Sequence, residues 1–139
     1  MPIVTSEYST KTRGENDIIN LTDIVAATIN DCTLQNGIVT VFVVGSTAAI
    51  TTIEYEPGLK KDLSKTLDKI VPKGIIYEHD KAWHDGNGHS HIRSSLIGPG
   101  LTIPFINGRL CLGIWQQTIL IELDTRSRER KIIIQIIGE

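Results

Sequence analysis

An α+β domain is the fold class this sequence predicts, and three observations carry the expectation. Residues 38–44 (IVTVFVV) and 131–137 (KIIIQII) are near-continuous apolar runs of strand length, the pattern of strands covered on both faces or lying at a subunit contact. Two other stretches, starting near Asn20 and at Leu59, repeat apolar residues every three or four positions, as amphipathic helices do. The final third is rich in Ile, Leu and Thr around Asn107-Gly108, the dipeptide best suited to a two-residue hairpin because both positions adopt positive φ.

In chain order, residues 3–12 alternate on a two-residue period and predict a first strand at a sheet edge, closed by Arg13-Gly14. Asn20 or Thr22 caps a helix that carries Ile24, Val25, Thr28, Ile29 and Cys32 on its core face and ends at Asn36-Gly37. Residues 38–44 form a central strand, and residues 46–54 a second strand placed beside it. Pro57-Gly58 opens a helix over 59–70 with Leu59, Leu63, Leu67 and Ile70 inward, and Pro72 and Gly74 end it. A long loop follows, then a short helix that starts from His89 or His91 and runs through IRSSLI, with Leu96 and Ile97 turned to the core, stopped by Gly98-Pro99-Gly100. Strands over 101–106 and 109–123 flank Asn107-Gly108, and a second hairpin at 124–129 returns the chain into a final strand over 130–137.

At 139 residues and 40% hydrophobic, the chain is expected to form one domain over residues 1–139. Fourteen basic residues against sixteen acidic ones, with no basic block, leave no footprint for a nucleic-acid groove or a membrane-surface helix. No apolar run has the length of a membrane span and the first residues lack a signal-peptide pattern, so a cytoplasmic location is expected. Cys32 and Cys111 fall in different elements and are expected to be buried reduced thiols.

All four histidines, His79, His84, His89 and His91, lie in one loop segment. Imidazole is the commonest side-chain metal ligand and titrates near neutral pH, so the clustering points to shared chemistry. His89 and His91 are two apart and would project to one face of an extended segment, whereas in a helix they would diverge. Asp85-Gly86 and Asn87-Gly88 are successive turn signals that fold His79 or His84 back towards them. Three imidazoles with an open position describe a catalytic zinc site, and acid/base catalysis without a metal is the alternative. Arg93 would suit a phosphate or carboxylate, or pair with a neighbouring acid. Glu54, at a strand end beside a turn, is a candidate proton acceptor. Trp115, followed by the amide of Gln116, either stacks on a substrate ring or is buried.

The run from Asn87 to Glu139, with Asn87 to His91, Ser95 to Gly98 and the Leu-Gly-x-Trp-Gln sequence at Leu112 to Gln116, resembles the YjbQ-like family, described as secondary thiamine-phosphate synthases. The likeness extends upstream through STAAITTIEYEPGLKKDL and Tyr77-Glu78-His79. It implies antiparallel or mixed strands in two packed sheets, two main outer helices with a short third, and a homotrimer with clefts between subunits. It implies a divalent metal, zinc first, on His79, His89 and His91, with no regular counterpart for His84. The implied reaction joins a pyrimidine diphosphate to a thiazole phosphate and releases pyrophosphate. Arg93 would then assist diphosphate departure, Asn87 orient a phosphate oxygen or a ligand, Trp115 and Gln116 contact substrate, and Glu54 position water or an amine. A non-catalytic trimeric binder of a metal or phosphometabolite and a metal-dependent hydrolase are the competing readings. One departure stands out: Gly45-Ser46-Thr47 occupies the place where many members carry His-Thr-Thr.

Overall fold

A computed structural model describes all residues, Met1–Glu139. In order, the elements are β1 (Ile3–Lys11), β2 (Ile18–Asn20), α1 (Thr22–Asp31), β3 (Gly37–Val43), β4 (Ala48–Ile53), α2 (Pro57–Ile70), α3 (Glu78–Trp83), α4 (Gly88–Ile97), β5 (Gly100–Ile106), β6 (Arg109–Leu110), β7 (Gln117–Glu122) and β8 (Glu129–Gly138). The class is α+β, as the sequence predicts. One antiparallel sheet runs β1-β8-β3-β5-β6 and the other β2-β7-β4. As expected, β1 is an edge strand and β3 a central one.

Two expected pairings are not made. β4 does not lie beside β3; the chain leaves the larger sheet after Val43 and β4 pairs with β7 in the smaller one. Nor do β7 and β8 form a hairpin, because residues 123–128 carry the chain between the sheets, β7 pairing with β2 and β4 and β8 with β1 and β3. The segment 109–123 is also not one strand: β6 is a two-residue stub and the chain is irregular until Gln117. The hairpin at Asn107-Gly108 is present, with φ of 52° and 72°, and pairs Ile106 with Arg109.

Packing follows from alternation along the strands. Val39, Val41 and Val43 of β3 and Ile132, Ile134 and Ile136 of β8 point inward against Val25 and Ile29 of α1 and Ile50 and Leu120 of the small sheet. On the opposite face of the small sheet, Ala49, Ile119 and Ile121 meet Leu67 of α2, with Ile97 of α4 beside them. β7 is therefore buried on both sides, and burying one such isoleucine is worth about 1.5–3 kcal/mol. By contrast, the outer face of the large sheet leaves Ile3, Ile38 and Phe42 exposed, with no element of the chain over it. α1 ends at Asp31, before Asn36-Gly37, and Ile70 and Leu96 face solvent instead of the core. Cys111 is exposed and Cys32 half-buried, both as free thiols.

α2 shows how sequence dictates a helix start. Glu56 accepts hydrogen bonds from the Gly58 and Leu59 amides at 2.7 and 2.8 Å, with Pro57 at the first turn. A carboxylate there satisfies orphan N–H groups and the helix dipole together. Those two amides hold the Glu56 carboxyl below its ordinary pKa.

Candidate functional site

The histidine loop is mostly helical. α3 and α4 flank a turn in which His84 and Gly86 take positive φ, 58° and 66°. The bend is held by Asp80, whose carboxylate accepts from the Tyr77 amide at 3.2 Å and the Gly88 amide at 3.0 Å. Gly88 admits no larger residue, because a Cβ there would stand 2.5 Å from Tyr77 Cβ. Glycine is thus the condition for α4 to begin against α3.

Because α4 starts at Gly88, His89 and His91 are both on a helix and diverge, two helical residues lying about 200° apart. The expected extended geometry is not found, and its consequence is a divided histidine set. His91 meets His79 of α3, with ring centroids 4.5 Å apart and planes tilted by 57°. His89 turns inward, where its Nε2 is 2.6 Å from Glu15 Oε1. No three His, Cys, Asp or Glu side chains converge to hold an ion in this chain. The three-imidazole set of His79, His89 and His91 is therefore not assembled here, while the His79–His91 pair is.

Around that pair lies a polar network that the strand pattern does not announce. Asn87, buried at the start of α4, has Oδ1 3.1 Å from His79 Nε2, and its Nδ2 donates to Asp124 Oδ1 at 3.4 Å. Asp124 follows β7. Its Oδ2 accepts from Thr47 Oγ1 at 3.0 Å and from Arg128 Nε and Nη2 at 2.9 and 2.6 Å. The Thr125 amide donates to its Oδ1 at 2.8 Å. Burial alone would raise the Asp124 pKa, but the Thr125 amide, Arg128, Thr47 and Asn87 outweigh it and lower it to about 2. His91 is shifted down, first by burial and then by the neighbouring His79, against the pull of Asp124 and Asp85. A lowered histidine pKa keeps the ring neutral, with a lone pair available, at neutral pH.

Behind Asp124 a second layer is closed to solvent. Glu122 accepts from Thr12 Oγ1 at 2.7 Å and Arg130 Nε at 2.9 Å, and the Asp124 amide donates to its Oε2 at 3.1 Å. Arg130 Nη2 also donates to Thr47 Oγ1 at 2.8 Å. Gly45 sits at this layer: a Cβ on it would stand 2.8 Å from Arg130 Nη1, so a histidine in its place would require Arg130 to shift.

The remaining expected residues are scattered. Arg93 is fully buried; its Nε and Nη2 donate to Val71 O at 3.0 and 2.8 Å and its Nη2 also to Asp68 at 2.9 Å. Nη1 has no hydrogen-bond partner and lies 4.0 Å from Glu15 Oε1. Lys73 joins the same carboxylate at 3.1 Å. Arg93 thus ties α4 to α2 and offers nothing to solvent. Glu54 and Trp115 share a groove of about 440 Å³ with Asn20, Tyr55, Pro57 and Ile114, and no histidine lines it. Trp115 is 71% exposed, so it is not a core tryptophan. Gln116 braces its own loop, accepting from the Gly113 amide and donating to Thr52 Oγ1 at 3.1 Å. His84 is exposed at the end of α3. Thr47 stands in the Gly45-Ser46-Thr47 departure, whereas Asp124 and Arg128 have no sequence signal beyond a dense charge run, DTRSRERK, that leads from β7 into β8.

Residues 6–139 match the family model described as UPF0047 protein YjbQ-like. The chain is 34% identical over its whole length to a UPF0047 protein of Methanothermobacter thermautotrophicus, covering 95% of that protein. It is 33% identical to one of Archaeoglobus fulgidus, over 93% of this chain and 98% of the relative. Among solved structures, a YbjQ-like protein of unknown function from Sulfolobus solfataricus superposes with a TM-score of 0.89 at 28% identity, over 99% of this chain and all of that one. An uncharacterised yjbq/upf0047 protein of Clostridium acetobutylicum gives 0.85 at 36% identity, over 95% of this chain and 99% of that one. With the match spanning both sheets and the entire histidine segment, the chain belongs to the YjbQ-like UPF0047 family.

Proposed function

We propose that the His79–His91 cluster binds a divalent metal and a phosphorylated small molecule, and that the protein is a transferase of the thiamine-phosphate-synthase type. The observation that supports this reading is a half-exposed imidazole pair whose His91 lies within the charge influence of a carboxylate-held arginine, Arg128. Two imidazoles suit a borderline metal such as zinc, with the remaining positions left to water or substrate. His89, committed to Glu15, is not part of that ligand set. When bound, the metal would supply Lewis-acid stabilisation of charge on a departing diphosphate.

The protein's own side chains supply the rest. Arg128 spends Nε and Nη2 on Asp124, which fixes the plane of the guanidinium and leaves Nη1 for a phosphate oxygen. This is the role expected of Arg93, moved to a residue that solvent can reach: the Arg128 side chain is 35% exposed and that of Arg93 0%. Asp124 stays ionised down to about pH 2, so the arginine is held throughout the physiological range. The bare outer face of the large sheet, with Ile3, Ile38 and Phe42, is where we place the contact between copies in the threefold assembly that the family likeness implies.

Metal content per subunit, measured after dialysis against metal-free buffer, tests the site. One equivalent is expected in the wild type and in a folded His89→Ala protein, with none in His79→Ala or His91→Ala. Equal metal in all four proteins would overturn the two-imidazole site. With that metal present, product analysis on a pyrimidine diphosphate and a thiazole phosphate tests the chemistry. A joined product with pyrophosphate supports the transferase. Water consumption by one substrate makes the protein a hydrolase, and binding without turnover makes it a binder; either result removes the transferase reading.

A further inference from the structure

We propose that Asn87 and Asp124 are positioning residues that lock His79 in its Nε2–H tautomer, so that Nδ1 is the nitrogen His79 presents to a metal or substrate. This deepens the reading above and rests on it only for what Nδ1 meets.

The inference follows from which groups are able to donate. An ionised carboxylate is acceptor-only, whereas a primary amide has a donating end and an accepting end. Asp124 Oδ2 already receives Thr47 Oγ1 and two nitrogens of Arg128, and the Thr125 amide donates to Oδ1, so the carboxylate is pinned in orientation. Asn87 approaches that same Oδ1 at 3.4 Å. With its carbonyl end there, two acceptors would face each other in a buried site; with Nδ2 there, a hydrogen bond forms. The amide is thereby oriented by chemistry that does not depend on telling nitrogen from oxygen by shape.

Orientation at one end sets the other. Asn87 Oδ1 then faces His79 Nε2 at 3.1 Å, and a carbonyl oxygen has no proton to give. The contact is a hydrogen bond only if Nε2 carries the proton. The Asp85 carboxylate lies on the same side, its Oδ2 4.0 Å from that nitrogen and beyond hydrogen-bond reach, where its charge favours a proton on Nε2. A neutral imidazole has one N–H, so the lone pair falls to Nδ1. Thr47, on the β3–β4 connection, and Arg128, on the β7–β8 connection, thus determine through two intermediaries which nitrogen of a helical histidine is reactive. Partners of this kind fix ring orientation as well as proton position.

The test reads the tautomer directly in metal-free protein labelled with nitrogen-15 histidine, at about pH 8 where imidazoles are neutral. Long-range proton–nitrogen correlation is expected to show His79 as one tautomer, with Nε2 protonated and its proton retained against exchange. Asn87→Ala is expected to give a mixture of both tautomers and to lose that proton resonance. Asp124→Asn, which keeps the shape but can turn a donor towards Asn87, is expected to do the same and serves if Asn87→Ala does not fold. An Nδ1–H tautomer in the wild type, or spectra unchanged in the folded variants, would overturn the proposal. Titration with zinc separates this idea from the metal reading. Perturbation of His79 Nδ1 supports both, perturbation of Nε2 overturns the tautomer lock, and no binding with Nε2–H intact removes the metal while the lock stands.

Discussion

His91 and His89 are two residues apart on one helix and live in opposite chemistries. His91 stands beside His79 near solvent, with its proton affinity lowered by burial and by a second imidazole. His89 is 4% exposed and pressed against Glu15, whose carboxylate also receives Lys73 and faces the unpartnered Nη1 of Arg93. One imidazole is left with a nitrogen to offer, and the other is used to hold α4 against the loop after β1. A histidine-rich stretch is therefore not one site. The helical turn divides it into a half available for chemistry and a half that maintains the fold.

The largest expected effect breaks the closed half. In Glu15→Ala, His89 and Lys73 lose their acceptor, and the fully buried Arg93 keeps only Asp68 and Val71 O. Removing one partner from a buried ionic cluster costs about 3–5 kcal/mol. Chemical denaturation should show that loss, while metal content of the folded fraction stays at the wild-type level. Loss of metal at unchanged stability would mean that His89 and Glu15 belong to the open half after all.

An intermediate effect comes from acid. The Asp124 pKa falls from an ordinary 3.8 to about 2 in the folded chain. Between those values the unfolded chain binds more protons than the folded one, so stability rises with pH across this window and is lost as pH falls through it. The contribution is about 2 kcal/mol, fully present above about pH 4 and gone below about pH 2. In Asp124→Asn, unfolding free energies measured from pH 5 to pH 2 should lose that part of the slope. Arg128→Ala should flatten it in part, since one of several donors to the carboxylate is then gone.

Much of this architecture is legible in the residues, and the illegible part has physical causes. The apolar runs of β3 and β8, the Asn107-Gly108 hairpin and the helix of α2 are local patterns, and each lies where its pattern puts it, although the inward stripe of α2 stops short of Ile70, which faces solvent. Which sheet a strand joins is not local. β4 follows β3 closely, and β8 follows β7, yet both connections cross between sheets, because the core is divided so that β7 is buried on two faces. The histidine geometry is set at a helix boundary. A start at Gly88 in place of His89 or His91 rotates the intended ligand pair apart, and the signal for that start is the close approach of Gly88 to Tyr77, seen only in three dimensions. Arg93 looked like a substrate residue because sequence gives its charge and not its burial. Asp124 and Arg128 were hidden for the opposite reason, since a charged turn between strands looks like solvated surface until Asn87 is brought to it.

His84 supplies the smallest effect and a control for the comparison. It ends α3 with φ of 58° and ψ of 26°, exposed, its amide donating to Asp80 O at 2.8 Å. A side chain in this left-handed region meets its own backbone, and glycine at the same place does not. His84→Gly should therefore raise stability by a few tenths to about 1 kcal/mol, read as a small upward shift in Tm. Removing an imidazole at that position should leave metal content unchanged, because His84 contributes its backbone and not its ring. If His84→Gly were stabilised and yet lost metal, the open half would contain three histidines, with His84 taking the place that His89 vacates.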